Sequence, residues 1–392
     1  MSTRAVNKRQ PSAAAQPKEE RILALQGGGA LGAYQAGVYE ALAASGEMPQ
    51  WVAGISIGAI NAALIAGNPP DRRVQRLHEF WDTVTSSFSL LAPPVAPAAE
   101  LRSVLNEACA TMGAVFGLPG FFMPRFPAAP FHLPGTAGAL SFYDTGPLRA
   151  TLEQLVDFEV LNSGSMRLSV GAVNVRTGNF TYFDTADQRL DARHIMASGA
   201  LPPGFPPVEI DGEWYWDGGL VSNTPLQYVL DQPESDCRLV FQVDLFVAEG
   251  PMPTDLAHVA ERAKDIRFSS RTRLNTTNAM ARQSLAKAAR RLIAKLPSKL
   301  ADDPDVQALN AASRETAVTV VHLIHRRKRY ETQSKDYEFS RVSMQEHWQA
   351  GLADMAHTLS HPDWLARTPP GDGVHVLDLT RSTAHFPSKD RQ

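Results

Sequence analysis

The sequence predicts an α/β fold with a mainly parallel central sheet, from two glycine-rich turns and the apolar runs that lead into them. Ile22-Leu23-Ala24-Leu25 and Trp51-Val52-Ala53 are short and continuously apolar, as strands buried on both faces are. Each runs into a glycine turn, Gln26-Gly27-Gly28-Gly29-Ala30-Leu31-Gly32 and Gly54-Ile55-Ser56-Ile57-Gly58, and each turn opens a helix-forming stretch. About one strand-helix-strand unit separates them, so both turns are expected at the same edge of one sheet.

The first turn offers consecutive main-chain N–H groups with no side chains in the way, which suits an oxyanion. It also satisfies G-x-G-x-x-G, the dinucleotide-binding fingerprint, which further requires an acid at the end of the second strand. The nearest acid, Glu47, lies before that strand, so a nucleotide-binding or scaffold role is the poorer reading. The second turn has the form of a nucleophile elbow: glycines flank Ser56 and allow the strained strand-to-helix bend that exposes a hydroxyl. Small apolar residues follow it up to a stop at Gly67-Asn68-Pro69-Pro70, as expected of a buried helix. A buried serine at a tight turn is the plain alternative.

Residues 71–82 then read as a helix carrying Trp81, and residues 86–140, dense in Pro, Phe, Leu and Ala, interrupt the α/β pattern as an apolar loop. A helix is expected over 143–156, and strands over 167–175 and 180–183. Asp211-Gly212 marks a hairpin into the aromatic strand Glu213-Trp214-Tyr215-Trp216-Asp217, which ends in Gly218-Gly219. A carboxylate there is held by rigid neighbours, although an ordinary Asp-Gly turn looks the same. A buried strand is expected over 238–246, a helical segment over 251–316, strands over 317–324 and 374–379, and a helix over 343–359.

A serine and an oxyanion loop still need a base. An α/β-hydrolase supplies an acid and then a histidine, and none of the eleven histidines stands in a recognisable catalytic context. The ordered set G-G-G-x-x-G, G-x-S-x-G and D-G-G instead resembles the patatin-like phospholipases, a family that uses a Ser-Asp dyad without histidine. Ala197-Ser198-Gly199-Ala200-Leu201-Pro202-Pro203-Gly204 ahead of Asp217 and Asn223-Thr224-Pro225 after it look like that family's flanks. The resemblance covers about residues 20–246 and implies a three-layer fold and hydrolysis of phospholipid or lysophospholipid esters. By it Ser56 is the nucleophile, Asp217 the base, and Gly27, Gly28 and Gly29 the oxyanion hole, with Gly32, Gly54, Gly58, Gly218 and Gly219 shaping the turns. One position departs: Leu31 stands where the family usually has Arg or Lys. In a lipid hydrolase the 86–140 insertion would be a lid or acyl-chain wall; a loop packed on the core is the plainer reading. A histidine-assisted esterase acting on small soluble esters remains the alternative.

The organisation expected is a disordered tail over 1–20, a catalytic domain over 21–246, and a helical extension over 247–392 that returns to the sheet and resembles one bacterial branch of the family. No cofactor or metal is expected, and His322 and His347 read as structural, with His322 the more buried. The formal net charge of −3 over 392 residues gives no case for nucleic acid, and two cysteines, Cys109 and Cys237, suit a reducing, cytoplasmic compartment. No run of about eighteen apolar residues offers a membrane span. Residues 251–300 nevertheless carry 11 Lys or Arg against 3 Asp or Glu. Within them a helix over 284–296 would place Leu285, Leu292 and Leu296 opposite Lys287, Arg290, Arg291 and Lys295. Such a helix can lie on an anionic bilayer, or dock on the domain with its charges in water. The sequence names no protein partner.

Overall fold

The computed structural model describes residues 19–87, 99–232, 237–313, 317–326, 328, 330–369 and 374–380, so most of the expected N-terminal tail lies outside the described residues. In chain order, β1 (Glu20–Leu25) turns into α1 (Ala33–Ser45), which Gly46 ends in a left-handed cap at φ 78°. β2 (Trp51–Gly54) turns into α2 (Ile57–Ala66), followed by α3 (Arg73–Val84), α4 (Ala99–Phe116), β3 (Met123–Pro124) and β4 (Tyr143–Asp144). α5 (Gly146–Leu155) and α6 (Phe158–Leu161) precede β5 (Arg167–Asn174) and β6 (Phe180–Asp184). α7 (Ala192–Ser198) leads to the hairpin β7 (Val208–Ile210) and β8 (Glu213–Asp217), whose turn residues Asp211 and Gly212 both have positive φ, as a tight hairpin requires. Then come α8 (Leu226–Asp231), β9 (Cys237–Asp244), α9 (Leu256–Ile293), α10 (Pro304–Ala312), β10 (Ala317–Ile324), α11 (Arg341–Ser360), α12 (Pro362–Leu365) and β11 (Val374–Leu377).

These strands form one sheet in the order β11-β10-β9-β1-β2-β5-β8-β7, with β6 also on β5. From β11 to β5 every pairing is parallel; β6, β7 and β8 add antiparallel partners at the other end. Alternation along β1 explains its unbroken apolar sequence. Leu23 and Leu25 enter the larger core with α1, α2 and α3, while Ile22 and Ala24 enter a second core closed by Leu226 and Val229 of α8. This is the three-layer α/β fold expected, with a helical C-terminal region that returns to the sheet through β10 and β11.

That region is tightly built into the body. A Cβ on Gly37 of α1 would lie 1.9 Å from the Trp348 carbonyl oxygen of α11, and one on Gly351 would lie 2.0 Å from that of Tyr34. The two helices approach backbone to backbone, which only glycine allows at those two positions.

Two local expectations are corrected. The 86–140 insertion is not a plain loop, since Ala99–Phe116 is an eighteen-residue helix. Prolines 93, 94 and 97 and the aromatics beyond it dominate the composition and hide a helix whose buried positions include Arg102, Asn106, Cys109 and Ala110. The helix expected from 143 starts instead at Gly146, because Tyr143 and Asp144 pair with Pro124 and Met123.

Candidate active site

β1 and β2 are adjacent and parallel, with Leu25 opposite Gly54, so the two glycine turns leave the same sheet edge side by side. The first turn is fixed from below by Gln26. Its buried amide oxygen accepts from Leu245 N–H (2.6 Å) and Phe246 N–H (3.0 Å), and its amide nitrogen donates to Thr224 Oγ1 (3.0 Å). Gly27 is clasped by Asn223, donating its N–H to the Asn223 carbonyl (3.1 Å) and accepting from Asn223 Nδ2 at its own carbonyl (2.9 Å). The Gly27 N–H is therefore taken, which corrects its expected place among the oxyanion donors. Gly28 and Gly29 keep N–H groups without an acceptor among the described residues, at the start of a one-turn 3₁₀ helix. Ala30 N–H is also taken, by the Asp336 carbonyl at 2.8 Å.

Gly32 packs without a side chain against Ile57, whose Cγ1 would lie 2.6 Å from a Cβ there. Leu31, at the departing position, is fully buried in the larger core. A cation in that apolar setting would be desolvated, so leucine fits the surroundings and the loop is held by Asn223 and Asp336.

Ser56 has φ 56° and ψ −121°, a conformation that costs a non-glycine residue of order 1–3 kcal/mol and signals a functional constraint. Neighbouring contacts impose it. A Cβ on Gly54 would stand 2.3 Å from the Gly58 carbonyl oxygen, and one on Gly58 would stand 2.5 Å from that of Leu25. The Ser56 N–H donates to Ser198 Oγ (3.0 Å), and Ser198 donates in turn to the Gly171 carbonyl of β5 (2.7 Å). The serine thus sits at the N-terminus of α2, whose dipole favours negative charge nearby.

Asp217 ends β8, with its N–H on the Ala200 carbonyl (3.0 Å) and its Oδ1 accepting from Gly219 N–H (2.7 Å). Gly218 lets this turn close on β5, since a Cβ there would lie 2.6 Å from the Gly171 carbonyl oxygen. Burial pushes the Asp217 carboxyl up to about 7, against the opposing pull of the neighbouring Ser56 hydroxyl and of the Gly219 N–H.

Ser56, Asp217, Gly28 and Gly29 open into one cavity of about 350 Å³. The insertion contributes Ala114, Phe121 and Phe122 to its wall, the 201–205 segment contributes Leu201 and Phe205, and the C-terminal region contributes Asp336, Tyr337 and Phe339. Apart from the catalytic-type groups the lining is mainly aromatic and aliphatic, suited to an apolar substrate. No histidine among the described residues lines it. His194 instead caps α7 with Asp191.

The two histidines read as structural exchange places. His322 is partly exposed and pairs with Asp244 at 2.5 Å, whereas His347 is buried on α11. An apolar strand sequence suggested burial of His322, but β11 pairs only with Val318–Val321 of β10, and His322 lies one residue beyond that cover. The Asp336 strap over the glycine loop was not legible as a site element. Residues 335–341 resemble that bacterial branch's extension but carry no chemistry legible in sequence, and only their contact with Ala30 reveals the role.

With the geometry in place, comparison with known proteins adds sequence kinship. Residues 23–230 match the family described as patatin-like phospholipase, and residues 266–371 match a second family described as Patatin phospholipase. No curated protein sequence matches significantly. Among solved structures, VipD from Legionella pneumophila is 17% identical, with 86% of this chain and 67% of that chain covered at a TM-score of 0.33. ExoU from the type III secretion system of Pseudomonas aeruginosa, solved with SpcU, is 14% identical, with 76% and 68% covered at a TM-score of 0.28.

Proposed function

This chain belongs to the patatin-like phospholipase family, hydrolases of lipid carboxylic esters, and from that premise we propose that it works through a Ser56-Asp217 dyad on phospholipid or lysophospholipid. The observation that carries this reading is that Ser56 and a buried Asp217 line one cavity with Gly28 and Gly29, and that no histidine among the described residues lines it. A free aspartate is a poor base toward a hydroxyl. Here burial raises its basicity, and its position in the same cavity as Ser56 supports its taking the proton. As Ser56 Oγ attacks the ester carbonyl, its proton passes to Asp217. The carbonyl oxygen becomes an oxyanion facing the Gly28 and Gly29 N–H groups and the N-terminus of α2, where each donor is worth about a hundredfold or more in rate. Collapse expels the alcohol, which takes the proton from Asp217 and leaves an acyl-enzyme. Water then attacks the acyl carbon, gives its proton to Asp217, and releases the fatty acid as Ser56 recovers a proton.

Because only the ionised carboxylate accepts the proton, kcat/KM is expected to fall about tenfold per pH unit below a midpoint near 7 and to level off above it. A pH-rate profile on phospholipids, lysophospholipids and short-chain esters tests this and ranks the substrates. A flat profile between pH 5 and 8 contradicts a base that titrates near 7.

On this reading residues 21–246 form the catalytic domain and 247–392 an extension that completes the pocket wall. Residues 86–140 form the lipid-facing wall or lid, with Phe126 99% and Phe131 80% exposed. Peripheral contact with an anionic membrane is part of the proposal. Leu285 and Leu292 of α9 are 72% and 57% exposed, so the apolar side expected to dock on the domain faces outward. Arg291 of α9 and Lys295 and Lys299 just past its end are exposed as well. Among the described residues no helix is long and apolar enough to cross a membrane. A basic side chain near an anionic surface contributes about 1 kcal/mol, so reversing these three to glutamate is expected to weaken binding to anionic vesicles by roughly a hundredfold at low salt, with hydrolysis of a soluble ester unchanged. Vesicle co-sedimentation measures it. Equal binding by both proteins removes α9 from the membrane surface.

A further inference from the structure

Away from the catalytic cavity, three side chains converge that no step of ester hydrolysis uses. His325 follows β10 directly, Glu331 lies on the loop beyond it, and His347 projects from α11. Their side chains are only 2%, 3% and 5% exposed. Glu331 Oε1 stands 3.1 Å from His347 Nε2 and 3.3 Å from His325 Nε2, and one candidate donor atom from each residue lies within 4.8 Å of the other two.

Protein hydrogen bonds account for only part of this cluster, His347 Nε2 with Glu331 Oε1 and Lys328 N–H with Glu331 Oε2. Neither ring nitrogen of His325 has a hydrogen-bond partner among the described residues, nor does Nδ1 of His347. Every imidazole carries at least one N–H, so a buried His325 that makes no hydrogen bond and faces only Glu331 Oε1 at 3.3 Å leaves a polar group poorly satisfied, at a typical cost of about 1–3 kcal/mol. Such an orphan needs a physical reason. A metal ion supplies one, because it takes the lone pair of an imidazole nitrogen directly.

We propose that His325, Glu331 and His347 bind one divalent transition-metal ion, zinc by preference, through the two imidazoles and the carboxylate. Donor type argues for zinc over magnesium or calcium, which favour all-oxygen shells. Spacing argues the same way. Ligands about 2.0–2.1 Å from a tetrahedral zinc stand roughly 3.3 Å apart, close to the two shorter separations seen here.

The ion's role would be structural. None of its three ligands lines the catalytic cavity. Between Glu331 and His347, however, runs the strap whose Asp336 carbonyl holds Ala30 of the glycine loop, and whose Tyr337 and Phe339 wall the pocket. Joining the end of β10 to α11 would pin both ends of that strap. The sequence concealed the site because its ligands are separated by five and fifteen residues across a strand end, a loop and a helix, which matches no short metal motif.

The test uses untagged full-length protein. Elemental analysis after reconstitution with Zn(II) and removal of excess is expected to find about one equivalent per chain, and a chelator is expected to lower the thermal midpoint by several degrees. Glu331→Gln and His347→Ala should each weaken zinc binding by about tenfold or more in competition with a chromophoric chelator, whereas His322→Ala, outside the cluster, should not. If the variants fold poorly, Co(II)-loaded wild type decides alone, since a four-coordinate site with nitrogen and oxygen donors gives an intense visible spectrum. Less than about one tenth of an equivalent in the wild type, or stoichiometric binding that persists in both ligand variants, would overturn the proposal.

Discussion

Ser56→Ala and Asp217→Asn are each expected to reduce kcat/KM for ester hydrolysis by about a thousandfold or more, and the double variant to lose little beyond either one. In the proposed dyad the two groups act on one proton, so removing either disables the same step. What survives in each case is the contribution of the Gly28 and Gly29 N–H groups and of binding in the apolar cavity, which neither substitution touches. Steady-state kinetics on a soluble ester measures the loss, circular dichroism checks folding, and a fluorophosphonate probe should label the wild type at Ser56. Substitution of His78, His132 or His194 should leave the rate within about tenfold. Hydrolysis persisting in folded Ser56→Ala removes the nucleophile assignment. A thousandfold loss in one folded histidine variant favours the histidine-assisted alternative instead.

The pairing of these two residues was legible because its signals are local. A buried parallel strand needs an unbroken apolar run, and a strained elbow needs glycines on both sides of the serine, so β1, β2 and the Ser56 turn stand in the sequence almost as they stand in space. Asp217 was legible through its aromatic strand and the glycines after it. What sequence reading missed depends on contacts across long stretches of chain. Occupation of the Gly27 N–H depends on Asn223, nearly two hundred residues away, and the strap over Ala30 depends on where Asp336 lands. His325, Glu331 and His347 likewise meet only after β10 and α11 have docked. Local composition misled where it was strongest: the prolines and phenylalanines of the 86–140 insertion outweighed the eighteen-residue helix among them.

The burial that suits Asp217 to its proposed role as base should also make it a liability to the fold, and Asp217→Asn is expected to stabilise the protein while it abolishes catalysis. In the unfolded chain the carboxyl ionises near its ordinary value of 3.8, and in the native cavity only near 7. Below about pH 4 both states hold the proton and the residue contributes no difference. Between 4 and 7 the unfolded state loses its proton while the native state retains it, so stability is lost as pH rises. Above 7 the loss is complete, at an upper bound of about 4 kcal/mol. Asparagine does not ionise. Its amide oxygen can still accept from Gly219 N–H and its nitrogen can donate to Ser56 Oγ, so the local bonds have replacements. The thermal midpoint of Asp217→Asn should therefore match the wild type near pH 4, rise above it by a widening margin to about pH 7, and keep a constant lead of several degrees beyond. Unfolding curves for both proteins from pH 4 to 9 decide the matter. A gap that stays constant across that range would mean that the native carboxyl titrates as it does in the unfolded chain, and that position alone, without burial, fits Asp217 to its task.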